Sequence, residues 1–169
     1  MNVCRRPFAA EHYELSNLRL DILQRDQAEA IVQQMVLADP WQTLGYSRPG
    51  LRDYLLRDDP GLHRFALESE GDLAGTLCVR YPWLLGPYLE LVAILPSCQG
   101  RGLGREAMTW VEQEATTVSR NLWALVSVFN VQARRFYRLC GFVEVTELPD
   151  LVKRGYNEIL LRKVLRRPH

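Results

Sequence analysis

The chain has 169 residues, 47% apolar and 24% charged, which suits a single globular domain with one core. Lys plus Arg number 21 and Asp plus Glu 20, so the formal charge of +1 gives no global attraction to nucleic acid or to an anionic membrane. Apolar stretches such as Leu91 to Leu95 fall far short of the roughly 18 residues of a spanning helix, and Arg5 and Arg6 precede no secretory apolar segment, so the expectation is a cytoplasmic protein.

Residues 1–14 read as an N-terminal arm, poorly ordered or added to the fold, and residues 15–169 as the single domain. Leu18, Leu20 and Ile22 alternate as in a strand, and Ala28, Ile31, Val32, Met35 and Val36 recur at helical spacing until Pro40. Asp39 to Tyr46 is a turn-rich aromatic connection, and Leu51, Tyr54 and Leu55 fit a second short helix. His63 to Glu68 and Leu73 to Tyr81 form a hairpin about the Glu70-Gly-Asp72 turn. Tyr88 to Leu95 is a central strand carrying one charge, Glu90. Leu103, Ala107, Val111, Ala115 and Val118 mark one face of a long helix. A strand over Leu122 to Phe129, a helix over Val131 to Leu139 and two strands, Phe142 to Leu148 and Tyr156 to Val164, close the chain. The expected fold is α+β, with a mixed, largely antiparallel sheet of about seven strands, about four helices and one strand-helix-strand crossover.

The cysteines Cys4, Cys78, Cys98 and Cys140 lie at least 20 residues apart, which is neither zinc spacing nor a disulfide framework. His12, His63 and His169 have no partner at metal-ligand spacing, so no metal is expected.

The run Leu91-Val-Ala-Ile-Leu-Pro-Ser-Cys-Gln-Gly-Arg-Gly-Leu-Gly104 places Gly100, Gly102 and Gly104 between a buried strand and a long helix. Glycines there let successive N–H groups converge on an anion at the positive end of the helix, with Arg101 and Arg105 as cationic donors. The same glycines also fit a plain tight turn with a solvated basic rim. Walker and Rossmann loops fit badly, because there is no Gly-Lys-Ser/Thr and the glycine spacing is not Gly-x-Gly-x-x-Gly.

The loop does match Gln-x-x-Gly-x-Gly/Ala, starting at Gln99, and so resembles the signature of the GNAT superfamily of N-acetyltransferases. The segment Asn130-Val-Gln-Ala-Arg-Arg-Phe-Tyr-Arg-Leu-Cys-Gly-Phe142 is similar to that superfamily's Asn-x-x-Ala-x-x-x-Tyr-x-x-x-Gly-Phe block. Asn130 stands at an N-cap, and Ala133 and Tyr137 share a helix face. With the closing Gly155 to Arg162 strand, the resemblance spans roughly Leu15 to Val164.

What the resemblance implies is an enzyme that transfers the acetyl group of acetyl-coenzyme A to a primary amine by direct attack in a ternary complex. Val92, Ala93 and Ile94 would meet the acetyl and pantetheine portion through the main chain. Gln99, Gly100, Arg101, Gly102, Leu103, Gly104 and Arg105 would cradle the pyrophosphate, with Asn130, Ala133 and Tyr137 beside the cofactor. Tyr137 would protonate the departing thiolate; its alternative is a packed ring with a wet hydroxyl. Glu90 is the candidate base, expected on the face of Val92 and Ile94 if no bulge intervenes, and otherwise salt-bridged to an arginine.

Leu122-Trp-Ala-Leu-Val and Leu148-Pro-Asp-Leu also resemble the ribosomal-protein N-terminal acetyltransferases, but Leu125 stands where that branch carries a catalytic Glu. A small amine or a different protein target is therefore open, and the competing function is a non-catalytic sensor or regulatory module that binds acetyl-coenzyme A or coenzyme A. Trp41, Tyr46, Trp83 and Tyr88 form either an acceptor mouth or plain packing. Arg101, Arg105, Arg134, Arg135 and Arg138 gather in the two cofactor motifs as a local basic site. The partners expected are acetyl-coenzyme A and an amine acceptor, with the chain acting as a monomer or homodimer.

Overall fold

A strand followed by a helix and a parallel strand needs a crossover, and the middle of this chain supplies one. In a computed structural model that describes residues 6–166, β5 (Gly86–Ile94) leads through a short 3-10 turn into α4 (Leu103–Thr116) and on to β6 (Asn121–Ser127). Cys4, Arg5 and His169, named above, lie outside the described residues. The β5–β6 pair is parallel. All other neighbours are antiparallel, in a single sheet ordered β1-β2-β3-β4-β5-β6-β8-β7.

Before the crossover come β1 (His12–Glu14), β2 (Arg19–Ile22), α1 (Arg25–Met35), α2 (Trp41–Leu44), α3 (Arg48–Leu56), β3 (Leu62–Ser69) and β4 (Asp72–Trp83). After it come α5 (Val131–Leu139), β7 (Val143–Lys153) and β8 (Tyr156–Val164). The fold is thus the expected mixed, mostly antiparallel α/β class. The strand and the helix beyond the expected seven and four are β1 and α2.

Apolar residues leave the sheet on both faces. Leu77, Leu89, Leu122, Ala124, Ile159 and Leu161 pack under α4 and α5, against Ala107, Met108, Val111 and Tyr137. On the other face Ala66 and Cys78 pack with Ala28, Ile31, Val32 and Met35 of α1 and with Leu51 and Leu55 of α3. The expected sheet is therefore covered twice, and the site lies where the covering changes.

Two stretches differ from the expectation. From Phe8 onward the N-terminal arm is packed: Phe8 is 1% exposed and meets Trp110 edge-on at 5.7 Å, while its N–H donates to the Glu114 carboxylate at 2.9 Å. Aromatic packing of this kind has no periodicity to reveal it, which is why the sequence leaves the arm open between a loose lead-in and an addition to the fold. β7 runs five residues further than expected, through Pro149, with a register irregularity after Leu148. As the outermost strand it has a free edge, where a missing N–H removes no ladder bond.

Candidate functional site

β5 and β6 are registered at only two pairs, Tyr88 with Trp123 and Leu89 with Ala124. Beyond them β5 continues to Ile94 and β6 to Ser127 without pairing, so the strands splay into a cleft. A cavity of about 600 Å³ runs through it, from the loop before α4 to Tyr46 and Glu158.

One end of the cavity is main chain. Gly100 and Gly102 have φ of +76° and +78°, where a side chain is strained, and open space lies beside each. None of the N–H groups from Gly100 to Arg105 has an acceptor among the described residues, and Gly102 caps α4 without a side-chain bond. A turn of free donors at the positive end of a 14-residue helix is an anion cradle. Gln99 donates from Nε2 to the Ile94 carbonyl at 2.9 Å, which ties the loop to the end of β5. Gly104 differs: its φ is not in the left-handed region, and a Cβ there would lie in ordinary contact 3.5 Å from the Phe136 ring.

Val92, Ala93, Ile94, Gln99, Asn130, Ala133 and Tyr137 all line this cavity, as do Gly100, Gly102, Leu103, Gly104 and Arg105. Arg101 does not. Its guanidinium turns back to the Glu70 carboxylate at 2.7 Å, in the β3–β4 turn. Arg134 is likewise held by Glu144 at 2.9 Å, so the five-arginine site is corrected to three exposed arginines without an ion pair among the described residues: Arg105, Arg135 and Arg138.

Asn130 is the expected N-cap, its Oδ1 accepting the Ala133 N–H at 3.0 Å. That cap starts α5 at the end of β6 and aims Tyr137 into the cleft. Tyr137 is 7% exposed, wedged against Phe136 and Phe142, and burial pushes its phenol above the ordinary range. Its hydroxyl has no hydrogen-bond partner among the described residues, and the residue borders the cavity. A phenol kept neutral by burial is a donor, not a base.

Glu90 is not on the face of Val92 and Ile94. Cys78 stands opposite Leu91 while Val79 stands opposite Leu89, so Glu90 is the extra residue of a β-bulge. The bulge switches the alternation: Leu89 before it and Val92 and Ile94 after it all pack toward α4 and α5, while Leu91 packs toward α1 and α3. Glu90 instead meets Arg80, whose Nε donates to Oε2 at 2.6 Å and whose Nη2 donates to Oε1 at 3.3 Å. Arg80 also binds Asp59 at 3.0 Å. Those hydrogen bonds, and then the guanidinium charge, hold the Asp59 carboxyl below its ordinary value.

The aromatic mouth divides. Trp41, Tyr46 and Tyr88 line the cavity, whereas Trp83 lies outside it, tilted against Tyr88 at 4.8 Å and edge-on to Trp123 at 5.8 Å. Burial raises the Tyr88 phenol, with the Glu90 charge second.

Three residues at or behind the far end of the cavity carried no signal in the sequence. Asp59 and Arg80 are ordinary polar positions until the hairpin brings them to Glu90. Glu158 reads as a polar position of the last strand, yet it is 5% exposed and lines the cavity, taking a 2.7 Å hydrogen bond from Ser127 Oγ.

The splayed parallel pair with a donor loop beneath it matches a known pattern over most of its length. The model of the Acetyltransferase (GNAT) family matches residues 20–142. The chain belongs to that family. This GNAT acetyltransferase is similar in fold to an acetyltransferase from Thermus thermophilus, with 24% identity over 90% of this chain and 100% of that one and a TM-score of 0.71. It is also similar to spermidine N-acetyltransferase from Vibrio cholerae in complex with CoA and spermine, with 20% identity over 90% and 98% of the two chains and a TM-score of 0.68. Nourseothricin acetyltransferase shares 26% identity over 66% of this chain and 69% of its own, with a TM-score of 0.58. The family's cosubstrate is acetyl-coenzyme A, and the residues present fit it: a cradle of free N–H groups for a pyrophosphate and an open strand edge for an amide-bearing arm.

Proposed function

We propose that this GNAT acetyltransferase moves the acetyl group of acetyl-coenzyme A onto a primary amine by direct attack within a ternary complex. The observation that carries this reading is the cleft itself, open to both faces of the sheet, with main-chain donors on one side and acidic and aromatic side chains on the other.

The N–H groups of Gly100 to Arg105 hold the pyrophosphate, and Arg105, Arg135 and Arg138 supply charge around the coenzyme A phosphates. The unpaired edge of β5 at Val92, Ala93 and Ile94 bonds the pantetheine arm and orients the thioester. Asn130 and Ala133 fix the start of α5, and Tyr137 donates a hydrogen bond or proton to the leaving sulfur from the α5 face. A thiol of pKa about 8.5 can leave without an acid, so such help speeds the step and is not indispensable.

What weighs against Glu90 as the base is that both of its oxygens accept from Arg80. Its carboxylate keeps Arg80 from presenting an unpaired positive charge near an incoming ammonium.

Coenzyme A binding by calorimetry and thiol release from acetyl-coenzyme A with polyamines, alkylamines and peptide α-amines test the proposal together. Both binding and amine-dependent release are expected. Binding with no release for any amine would favour a sensor and overturn it.

A further inference from the structure

Among the carboxylates that line the cavity, Glu158 is the one that is buried without a cation. Ser127 occupies its Oε1, and its Oε2 has no partner among the described residues. Glu158 pairs across the strands with Ser127, while its neighbours Ile159 and Leu161 point into the core under α4 and α5. Alternation therefore sets Glu158 and Ser127 on the opposite face, facing the acceptor end, with Leu125 two residues before Ser127 on the same side.

Glu158 is 5% exposed and borders the cavity, so its second oxygen is left to whatever enters there, at a desolvation cost that nothing in the packing of β8 calls for. We infer that Glu158 binds the ammonium of the acceptor and takes its proton, so that the acceptor is a cationic primary amine entering past Tyr46 and Tyr88.

This rests on the acetyl-transfer reading above. The groups facing Glu158 are Tyr46 from the segment after α2, Tyr88 from β5, Ser127 from β6 and, as cross-strand partner on β7, Leu148. Glu90 lies beyond Tyr88 and is held by Arg80. Burial raises the Glu158 carboxyl above its ordinary value and the Ser127 bond opposes that rise, which brings the base closer to the amine it must deprotonate. Both tyrosines are pushed toward the neutral phenol and leave their rings as cation-tolerant walls.

One proton passes from the ammonium to Glu158. The freed nitrogen pair forms the C–N bond to the acetyl carbon, and the C–S bond breaks with its electrons on sulfur. The sulfur takes a proton through Tyr137, which the second nitrogen proton replaces. The products are the amide, the thiol and one proton released from Glu158 to solvent.

Glu158→Gln, Ser127→Ala and Glu90→Gln, assayed against pH with spermidine, n-butylamine and a dipeptide α-amine, test this. Glu158→Gln is expected to lower kcat/KM for the amine about 100-fold and to abolish its fall at acid pH, with coenzyme A affinity unchanged. Ser127→Ala should move that acid fall to higher pH, because it removes a bond favouring the ionised form. Glu90→Gln should leave it in place. Glu158→Gln retaining activity within about threefold, or the acid fall vanishing in Glu90→Gln instead, would overturn the assignment while leaving acetyl transfer standing. Wild-type protein that binds acetyl-coenzyme A but releases no thiol with any of these amines would overturn both.

Discussion

At the loop end of the cleft, around Gly100 to Arg105, the groups offered to a ligand are main-chain N–H donors; at the end proposed for the acceptor, around Tyr46, Tyr88, Glu90 and Glu158, they are side chains. Main-chain donors depend on backbone conformation, which a few glycines and a cap enforce locally. The acceptor end depends on which side chains three separate segments bring together. A ligand common to a whole family can be held by the first kind of site while the second kind varies.

The largest effect on that contrast is expected at the residue between the two ends. Tyr137→Phe should lower kcat about 100-fold with the KM of both substrates little changed and Tm unaltered, because the ring packing against Phe136 and Phe142 survives. Steady-state kinetics with thermal melting checks it; unchanged turnover across pH would make the residue a packing group.

Gly102→Val probes the loop end. A β-branched residue at φ +78° costs about 2 kcal/mol of backbone strain, so the Kd for coenzyme A should rise about 30-fold in calorimetry. The acceptor end should be unaffected.

Arg80→Met probes the scaffold of the acceptor end. It strips the cation from Asp59 and Glu90 and should lower Tm by about 4 °C at neutral pH. Asp59 has a folded pKa below its unfolded value, so its stabilisation is full above the unfolded value and is lost as pH falls through the folded one. The Tm gap should therefore narrow in strong acid, and a gap constant with pH would contradict the ion-pair account.

The smallest effect is expected at Gly104→Ala. Its φ is not in the left-handed region and the new Cβ would make ordinary contact with Phe136, so coenzyme A affinity should stay within about twofold. Contrast with Gly102→Val separates a glycine needed for its conformation from one whose position tolerates a side chain.

The loop, the Asn130 cap and the placement of Tyr137 were legible because each is a local matter: a turn, a cap and an i, i+4 spacing lie within a dozen residues. Glu90 shows where locality ends. Alternation along β5 is a sound rule, but one extra residue opposite Cys78 and Val79 inverts it, and the signal for that bulge lies in how β4 pairs, not in β5. Arg101 is similar, since its spacing to the glycines suggested a phosphate donor while the β3–β4 turn offered Glu70 as a partner.

The sequence by itself determined the order of strands and helices, the crossover between β5 and β6 and the loop under it, because hydrophobic periodicity and glycine geometry act over short stretches. Only the tertiary structure decided that Phe8 joins the core, that Arg80 holds Glu90, and that Glu158 and Ser127 meet beside the cavity. Those outcomes depend on pairing and burial between segments far apart in the chain, where the partner of a charge is chosen by the sheet and not by its neighbours in sequence.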